Sequence, residues 1–241
     1  MNIVIDVGNS SVKAGLFEYS LLKEVYHKLS VNDLPEFVQK LGIDNCIISS
    51  VNQDAGLIRQ QLRSFVPKVL VLDHHLPVPL INEYETPQTL GKDRLAAVAG
   101  ATTIHPRKDC LVIDMGTCIT YDCIQANGHY LGGSISPGLH MRFKALHTFT
   151  ARLPLVEPVS AAALTGKNTH DAILSGVING IAAEIEGIIS KYQTILPQID
   201  VIFCGGDAVF FESKIKQRIF VTPELVLIGL NRILEYNVSH R

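Results

Sequence analysis

The sequence predicts an α/β protein made of two copies of one βββαβα unit. Three observations predict it. An apolar strand runs into an aspartate and a glycine turn at Ile3-Val4-Ile5-Asp6-Val7-Gly8, near the start of the chain. The same figure returns 108 residues later at Leu111-Val112-Ile113-Asp114-Met115-Gly116. Each is followed by the same series of two further strand patterns, a helix, a strand and a helix, and self-similarity of this kind marks internal duplication.

In chain order, Val4 to Asp6 and Val12 to Tyr19 read as a hairpin around the first glycine turn, with Leu22 to Leu29 as a third strand. Asp33 to Leu41 fits a short helix whose start is fixed by Pro35, because proline is tolerated only in a first turn. Asn45 to Val51 is a buried-type strand. Leu57 to Phe65 is helical, since Leu57, Ile58, Leu62 and Phe65 share one face, and Lys68 to Leu72 is a strand. The Ala-rich stretch Lys92 to Thr103 favours a helix bridging the halves. The second copy has strands at Leu111 to Asp114, Cys118 to Ile124 and Tyr130 to Ile135, the last two joined at Asn127-Gly128, a favoured hairpin turn. Helices follow at Leu139 to Leu146 and from Asp171 to about Tyr192. After them come a strand at Val201 to Cys204, a helix at Ala208 to Lys216, a strand at Ile219 to Val221 and a helix at Glu224 to Tyr236. The division expected is residues 1–90 and 91–241, the bridging helix going with the second part.

A hydrophobic share of 47% with 18% charged residues describes a well-cored globular chain. A net charge of −2 argues against broad electrostatic binding to nucleic acid or an anionic membrane. No apolar run approaches the roughly 18 residues of a membrane span, and no leader pattern opens the chain. The five cysteines are odd in number and lack CxxC spacing, so they read as reduced thiols of a cytoplasmic protein, not as a disulfide frame or zinc site. His140 and His147 lie seven apart with no carboxylate pair beside them, which gives no metal site.

A carboxylate at a strand end beside a tight glycine turn suits chemistry better than packing. The turn aims consecutive N–H groups outward, as phosphate oxygens require. Asp6, Val7, Gly8, Asn9, Ser10, Ser11, Val12 and Lys13 thus form a candidate phosphate-binding segment, with Asn9, Ser10 and Ser11 adding donors and Lys13 a charge. Asp6 would repel phosphate directly, so its expected role is to hold Mg²⁺ through water. Asp114 and Thr117 supply the corresponding groups in the second copy. Two such loops around one nucleotide would provide the positioning and charge neutralisation of phosphoryl transfer. At Phe203 to Ala208, Gly205 and Gly206 let a base or ribose approach the backbone, and Asp207 is a candidate N-cap.

The motifs DVGNSS at Asp6 to Ser11, DMGT at Asp114 to Thr117 and CGGDA at Cys204 to Ala208 resemble the phosphate and adenosine motifs of the actin/hexokinase/Hsp70 superfamily. With GKDR at Gly91 to Arg94, GGSISPG at Gly132 to Gly138 and TGKNTHDAILSG at Thr165 to Gly176, the chain is similar over its whole length to the bacterial type III pantothenate kinases. The resemblance implies duplicated ribonuclease-H-like subdomains with a nucleotide cleft between them, and ATP-dependent phosphorylation of pantothenate, the first step of coenzyme A biosynthesis. It implies Asp93 as the general base, a role that suits a carboxylate within reach of an acceptor hydroxyl. Tyr84, Gly91, Lys92, Arg94 and Thr169 would line the acceptor site, with Arg94 a bidentate partner for the pantothenate carboxylate. It further implies a homodimer, with Thr169 reaching substrate across its interface, and a monovalent cation, K⁺ or NH₄⁺, at Asp114. The residues themselves do not choose between that cation and water-bridged Mg²⁺. Thr169 also suits the N-cap of the next helix. The arc of Ile173, Val177, Ile178, Ile181, Ile185, Ile188 and Ile189 fits either a dimer surface or a core helix. The competing functions are a kinase of another small hydroxyl or carboxylate acceptor and a non-enzymatic nucleotide switch. Some relatives are named as transcription activators, but no basic recognition helix is present, so DNA contact is not expected.

Overall fold

The structure, a computed structural model, describes residues 1–8, 11–51 and 54–239. It contains β1 (Asn2–Val7), β2 (Val12–Glu18), β3 (Leu21–Leu29), α1 (Leu34–Gln39), β4 (Asn45–Ser50), α2 (Ala55–Leu62), β5 (Lys68–Val71), β6 (Ile81–Asn82) and α3 (Lys92–Ile104). Then follow β7 (Cys110–Met115), β8 (Cys118–Ile124), β9 (His129–Pro137), α4 (Leu139–Thr148), α5 (Thr169–Ile195), β10 (Asp200–Cys204), α6 (Ala208–Glu212), β11 (Phe220–Val221) and α7 (Leu225–Ser239). The first sheet has the order β3-β2-β1-β4-β5, and the second runs β9-β8-β7-β10-β11 with β6 added beyond β9. The two orders are the same figure, so the duplication read from the sequence is present in the topology. Within each copy the fourth strand lies parallel to the first, β4 along β1 and β10 along β7.

Two elements differ from the sequence expectation. Strand β6 was not foreseen; it is two residues long and pairs Ile81 and Asn82 with His129 and Tyr130. Two residues cannot display a period, so only the partner strand defines it. Helix α6 ends at Glu212, short of Lys216, because Ser213 onwards leaves the helix after one turn.

By contacts the chain forms two compact units: residues 1–108, 124–132 and 224–241 make one, and 109–123 with 133–223 the other. In the first unit Ile3, Ile5 and Val7 alternate onto a sheet face whose core includes Leu34 and Val38 of α1 and Ile58 and Leu62 of α2. Helix α7 runs against β1 and β4, and α3 packs on α7. This last contact explains why α3 belongs to the first unit. The two helices approach through glycine: a Cβ at Gly229 would lie 1.7 Å from the Ala96 carbonyl oxygen, and one at Gly100 would lie 2.3 Å from that of Leu225. Gly229→Ala gains about 1 kcal/mol of helix propensity, but overpacking against backbone costs about 3 kcal/mol. We expect the melting temperature to fall by roughly 4–8 °C. Gly187→Ala, where an added Cβ meets nothing within 4 Å, should raise it instead. Thermal unfolding of both variants checks the pair; a neutral Gly229→Ala would contradict the packing account.

In the second unit α5 is the central packing element. By length and composition it would suffice to cross a membrane, with 27 residues and a mean hydropathy of 1.5 over its best 18, contrary to the sequence expectation. Its apolar arc is spent on its own unit: Ile173, Val177, Ile178, Ile181, Ile185 and Ile189 are buried against Leu111, Ile113, Tyr121 and Phe203, with Ile188 packed at the edge. The stripe is therefore core and is not free to serve as a dimer surface.

Candidate active site

In the first unit the site grows from β1. This strand lies between β2 and β4, and Ile3, Val4 and Ile5 are fully buried. Asp6, next along the strand, is drawn into the same apolar surroundings. It faces Ser49 across the parallel ladder and Lys13 across the antiparallel one. Desolvation is the main cause that pushes the Asp6 carboxyl up to about 6. The nearby Ser49 hydroxyl and the Lys13 ammonium offset part of this, and the Asp93 carboxylate adds to it. Asp6 Oδ1 is buried without a hydrogen-bond partner, and so is Ser49 Oγ. A buried carboxylate oxygen without a donor suits a hydrated cation, which would supply the donors the protein withholds. The turn after Asp6 closes by the Gly8 N–H donating to the Ser11 carbonyl at 3.1 Å. Val12 is buried behind it. Asn9 and Ser10, both expected at the phosphate, lie outside the described residues.

Asp93 stands in the first turn of α3, where the helix N-terminus favours an anion. Its Oδ1 accepts from the Arg94 N–H at 2.9 Å, which fixes the carboxylate's direction. A Cβ at Gly91 would lie 2.5 Å from that oxygen, so glycine keeps its approach clear. Asp93 lies in the same unit as Asp6, and its carboxylate is one of the charges that raise the Asp6 pKa. Lys92 donates to the Ser50 carbonyl at 2.9 Å, tying the start of α3 to the end of β4. Arg94 is 4% exposed, and its guanidinium lies 5.5 Å from the centroid of the Tyr84 ring. Tyr84 in turn stacks on Tyr130, with centroids 6.4 Å apart and planes 7° from parallel. Gly132 permits this approach, as φ is +94° there and a Cβ would lie 3.2 Å from the Tyr84 ring. A hollow of about 230 Å³ opens beside Lys92, lined by Asp73, His74, Pro87, Gln88, Leu90 and Leu95. Neither Asp6 nor Asp93 lines it.

In the second unit Asp114 ends β7 beside Cys204 of β10. The following turn is closed by the Gly116 N–H donating to the Cys118 carbonyl at 2.9 Å. Gly205 has φ +85°, and a Cβ there would lie 2.3 Å from Asp114 Oδ1, so only glycine fits against the carboxylate. Gly206 has nothing within 4 Å of an added Cβ, leaving open space over the peptide. Asp207 occupies the N-cap position of α6 but makes no side-chain capping bond, so that part of the expectation is corrected. Burial raises its pKa, and His140 partly offsets the shift. Thr169 is the first residue of α5 and exposed; the cap is Asn168, whose side chain accepts from the Asp171 N–H at 2.9 Å. Thr169 is thereby not the N-cap, and its hydroxyl is not committed to that role. Thr117 is exposed, and its carbonyl accepts from the Gly138 N–H at 3.1 Å.

Among the described residues no group of three or more His, Cys, Asp or Glu side chains gathers to hold a metal. A divalent ion would therefore take one carboxylate, waters and phosphate oxygens, which is the habit of Mg²⁺. Sequence reasoning missed Ser49 and Tyr130, and met Gly132 only as the start of a motif without a role. The Ser49-Ser50 pair at the end of a buried strand was a readable signal for the first; the others depend on the β6–β9 pairing.

The family model for type III pantothenate kinase matches residues 2–191. The chain belongs to the type III pantothenate kinase family. A type III pantothenate kinase from Phocaeicola vulgatus is 46% identical over 239 residues, covering 98% of this chain and 99% of the relative. Among solved structures, a Campylobacter jejuni protein described as a Baf family transcriptional activator superposes with a TM-score of 0.66 at 23% identity. It covers 98% of this chain and 99% of its own. A polyphosphate/ATP-glucomannokinase from an Arthrobacter species gives 0.50 at 15% identity, covering 99% and 98%. At these identities the two structures share the fold alone. This chain is thus alike in fold to a glucomannokinase, consistent with two ribonuclease-H-like halves.

Proposed function

We propose that the protein is a cytoplasmic homodimeric kinase that transfers the γ-phosphoryl group of ATP to the primary hydroxyl of pantothenate. Family membership supports the acceptor, and the influence of the Asp93 carboxylate on Asp6 supports the mechanism. Asp93 is the general base: it takes the hydroxyl proton as the oxygen attacks the γ-phosphorus, and the phosphorus–oxygen bond to ADP breaks on the opposite side. The Arg94 N–H holds the Asp93 carboxylate toward its task. Asp6 would hold hydrated Mg²⁺, which when bound would supply charge neutralisation for the phosphates. The segment Gly8 to Lys13 receives the phosphates, Gly205 and Gly206 accept the nucleoside, and Asp114 and Thr117 hold a monovalent cation and phosphate. Tyr84 and Arg94 with Gly91, Lys92 and Thr169 bind the acceptor, Thr169 reaching it from the partner copy. In this reading residues 1–90 and 91–241 are the duplicated halves. Exposed Phe149, Leu155 and Leu164 ahead of α5 supply apolar surface for the dimer.

The test is phosphate transfer from ATP to pantothenate by the purified protein, with K⁺, NH₄⁺ or Na⁺ as the only monovalent cation. Turnover in K⁺ or NH₄⁺ well above that in Na⁺ is expected. ATP consumption with another acceptor but none with pantothenate would overturn the acceptor, and equal rates in all three salts would remove the cation from Asp114.

A further inference from the structure

We infer that Glu184, in the middle of α5, is the positioning residue for the second glycine turn, Asp114 to Cys118, and so for nucleotide binding. The inference rests on the kinase reading above. Glu184 is an acidic residue on an otherwise apolar core face, and its carboxylate is held by three donors. Oε1 accepts from the Tyr121 hydroxyl at 2.7 Å and the Ser136 hydroxyl at 2.6 Å, and Oε2 accepts from Arg142 Nη2 at 2.6 Å. Arg142 also donates from Nε to the Pro137 carbonyl at 2.8 Å. These bonds place the backbone of Ser136 and Pro137, immediately before Gly138. The carboxylate is lowered in pKa despite its burial, because its three donors outweigh desolvation.

The turn is gripped from both of its sides. On one, Gly138 is pressed against it: a Cβ at 138 would lie 2.3 Å from the Gly116 carbonyl oxygen and 2.6 Å from that of Thr117. On the other, Tyr121 is fully buried in β8, the strand that leaves the turn, and its hydroxyl ends on the same Oε1. One carboxylate on a core helix thus holds both the strand leaving the turn and the segment packed over it. A stability role alone would be met more cheaply by an apolar residue, since a half-buried ion pair gains little net energy. What the carboxylate adds is a fixed geometry across β8, β9 and α4.

Calorimetric titration of Mg·ATP without pantothenate tests this whatever the acceptor proves to be. Glu184→Leu removes all three acceptor contacts and should weaken Mg·ATP binding by roughly ten- to hundredfold. Glu184→Gln should restore most of it, because the amide oxygen can face Arg142 while its NH₂ donates to the two hydroxyl oxygens. Ile185→Val, in the same helix, should lower the melting temperature and leave Mg·ATP affinity unchanged. A folded Glu184→Leu protein with wild-type affinity would overturn the inference. If that variant does not fold, Ser136→Ala and Arg142→Lys each remove one arm, and unchanged affinity in both would be equally decisive against it. Wild-type protein that binds Mg·ATP but does not phosphorylate pantothenate would instead fail the acceptor reading and leave this result standing.

Discussion

Asp93→Asn should lower the turnover number for pantothenate phosphorylation by roughly 10²–10⁴-fold, the usual yield of a positioned general base, while leaving the fold and Mg·ATP affinity intact. The asparagine can keep the oxygen that accepts from the Arg94 N–H at 2.9 Å, so the first turn of α3 retains its geometry. What it loses is the capacity to take a proton. At about 1.4 kcal/mol per decade the change amounts to roughly 3–5 kcal/mol of transition-state stabilisation. Steady-state kinetics with a parallel melting curve decide the matter. Turnover within a few-fold of wild type would show that another group takes the proton. Equal losses in turnover and in Mg·ATP binding would mean that Asp93 acts through the nucleotide.

The second large effect is a gain in stability at the expense of activity. Asp6 has a folded pKa raised from 3.8 to about 6, chiefly by desolvation. A raised carboxyl pKa means the folded state prefers the proton. Its penalty is absent at a pH below the unfolded value, grows as pH rises through about 6, and is complete above it. The shift of roughly two units corresponds to about 3 kcal/mol. Asp6→Asn removes the ionisation, so ligand-free protein should be more stable than wild type by about 1–3 kcal/mol at pH 7.5. The two should converge near pH 4. Activity should fall at least about a hundredfold at the same time, because the carboxylate proposed to hold hydrated Mg²⁺ is gone. Urea unfolding of both proteins between pH 4 and 8 isolates the Asp6 contribution as a difference, since Glu184, whose lowered pKa costs stability as pH falls, is common to both. A variant less stable than wild type at pH 7.5 would show that Asp6 is structural.

The combination follows from where β1 lies. It is the central strand of its sheet, largely buried, and a carboxylate next to its last residue is destabilised by desolvation. Functional sites commonly carry such a cost.

Several features were legible because they are local. The aspartate after three apolar residues, the glycine that follows, and the return of the figure at Asp114 depend on neighbours in sequence and on the period-2 alternation of a strand. They fixed the duplication, the order of elements along the chain and the identity of the aspartates. GKDR pointed to Asp93 and Gly91 by motif, and the Gly-Gly pair after a strand pointed to Gly205. Other features were ambiguous on the same grounds. The arc of isoleucines on α5 has one periodicity whether it faces a partner or its own core, and only the buried contacts with Ile113, Tyr121 and Phe203 decide for the core. Thr169 and Asn168 are both good caps by residue type. The backbone bends at Asn168, and so the cap belongs there.

By itself the sequence determined the duplicated α/β architecture, the two glycine-turn carboxylates and the family, because each rests on short-range pattern and on motif order. Only the tertiary structure decided that burial raises the Asp6 pKa, that Tyr84 meets both Arg94 and Tyr130, and that Glu184 takes donors from β8, β9 and α4. Desolvation and through-space charge depend on which groups folding brings together, and residues distant along the chain leave no periodic trace of meeting.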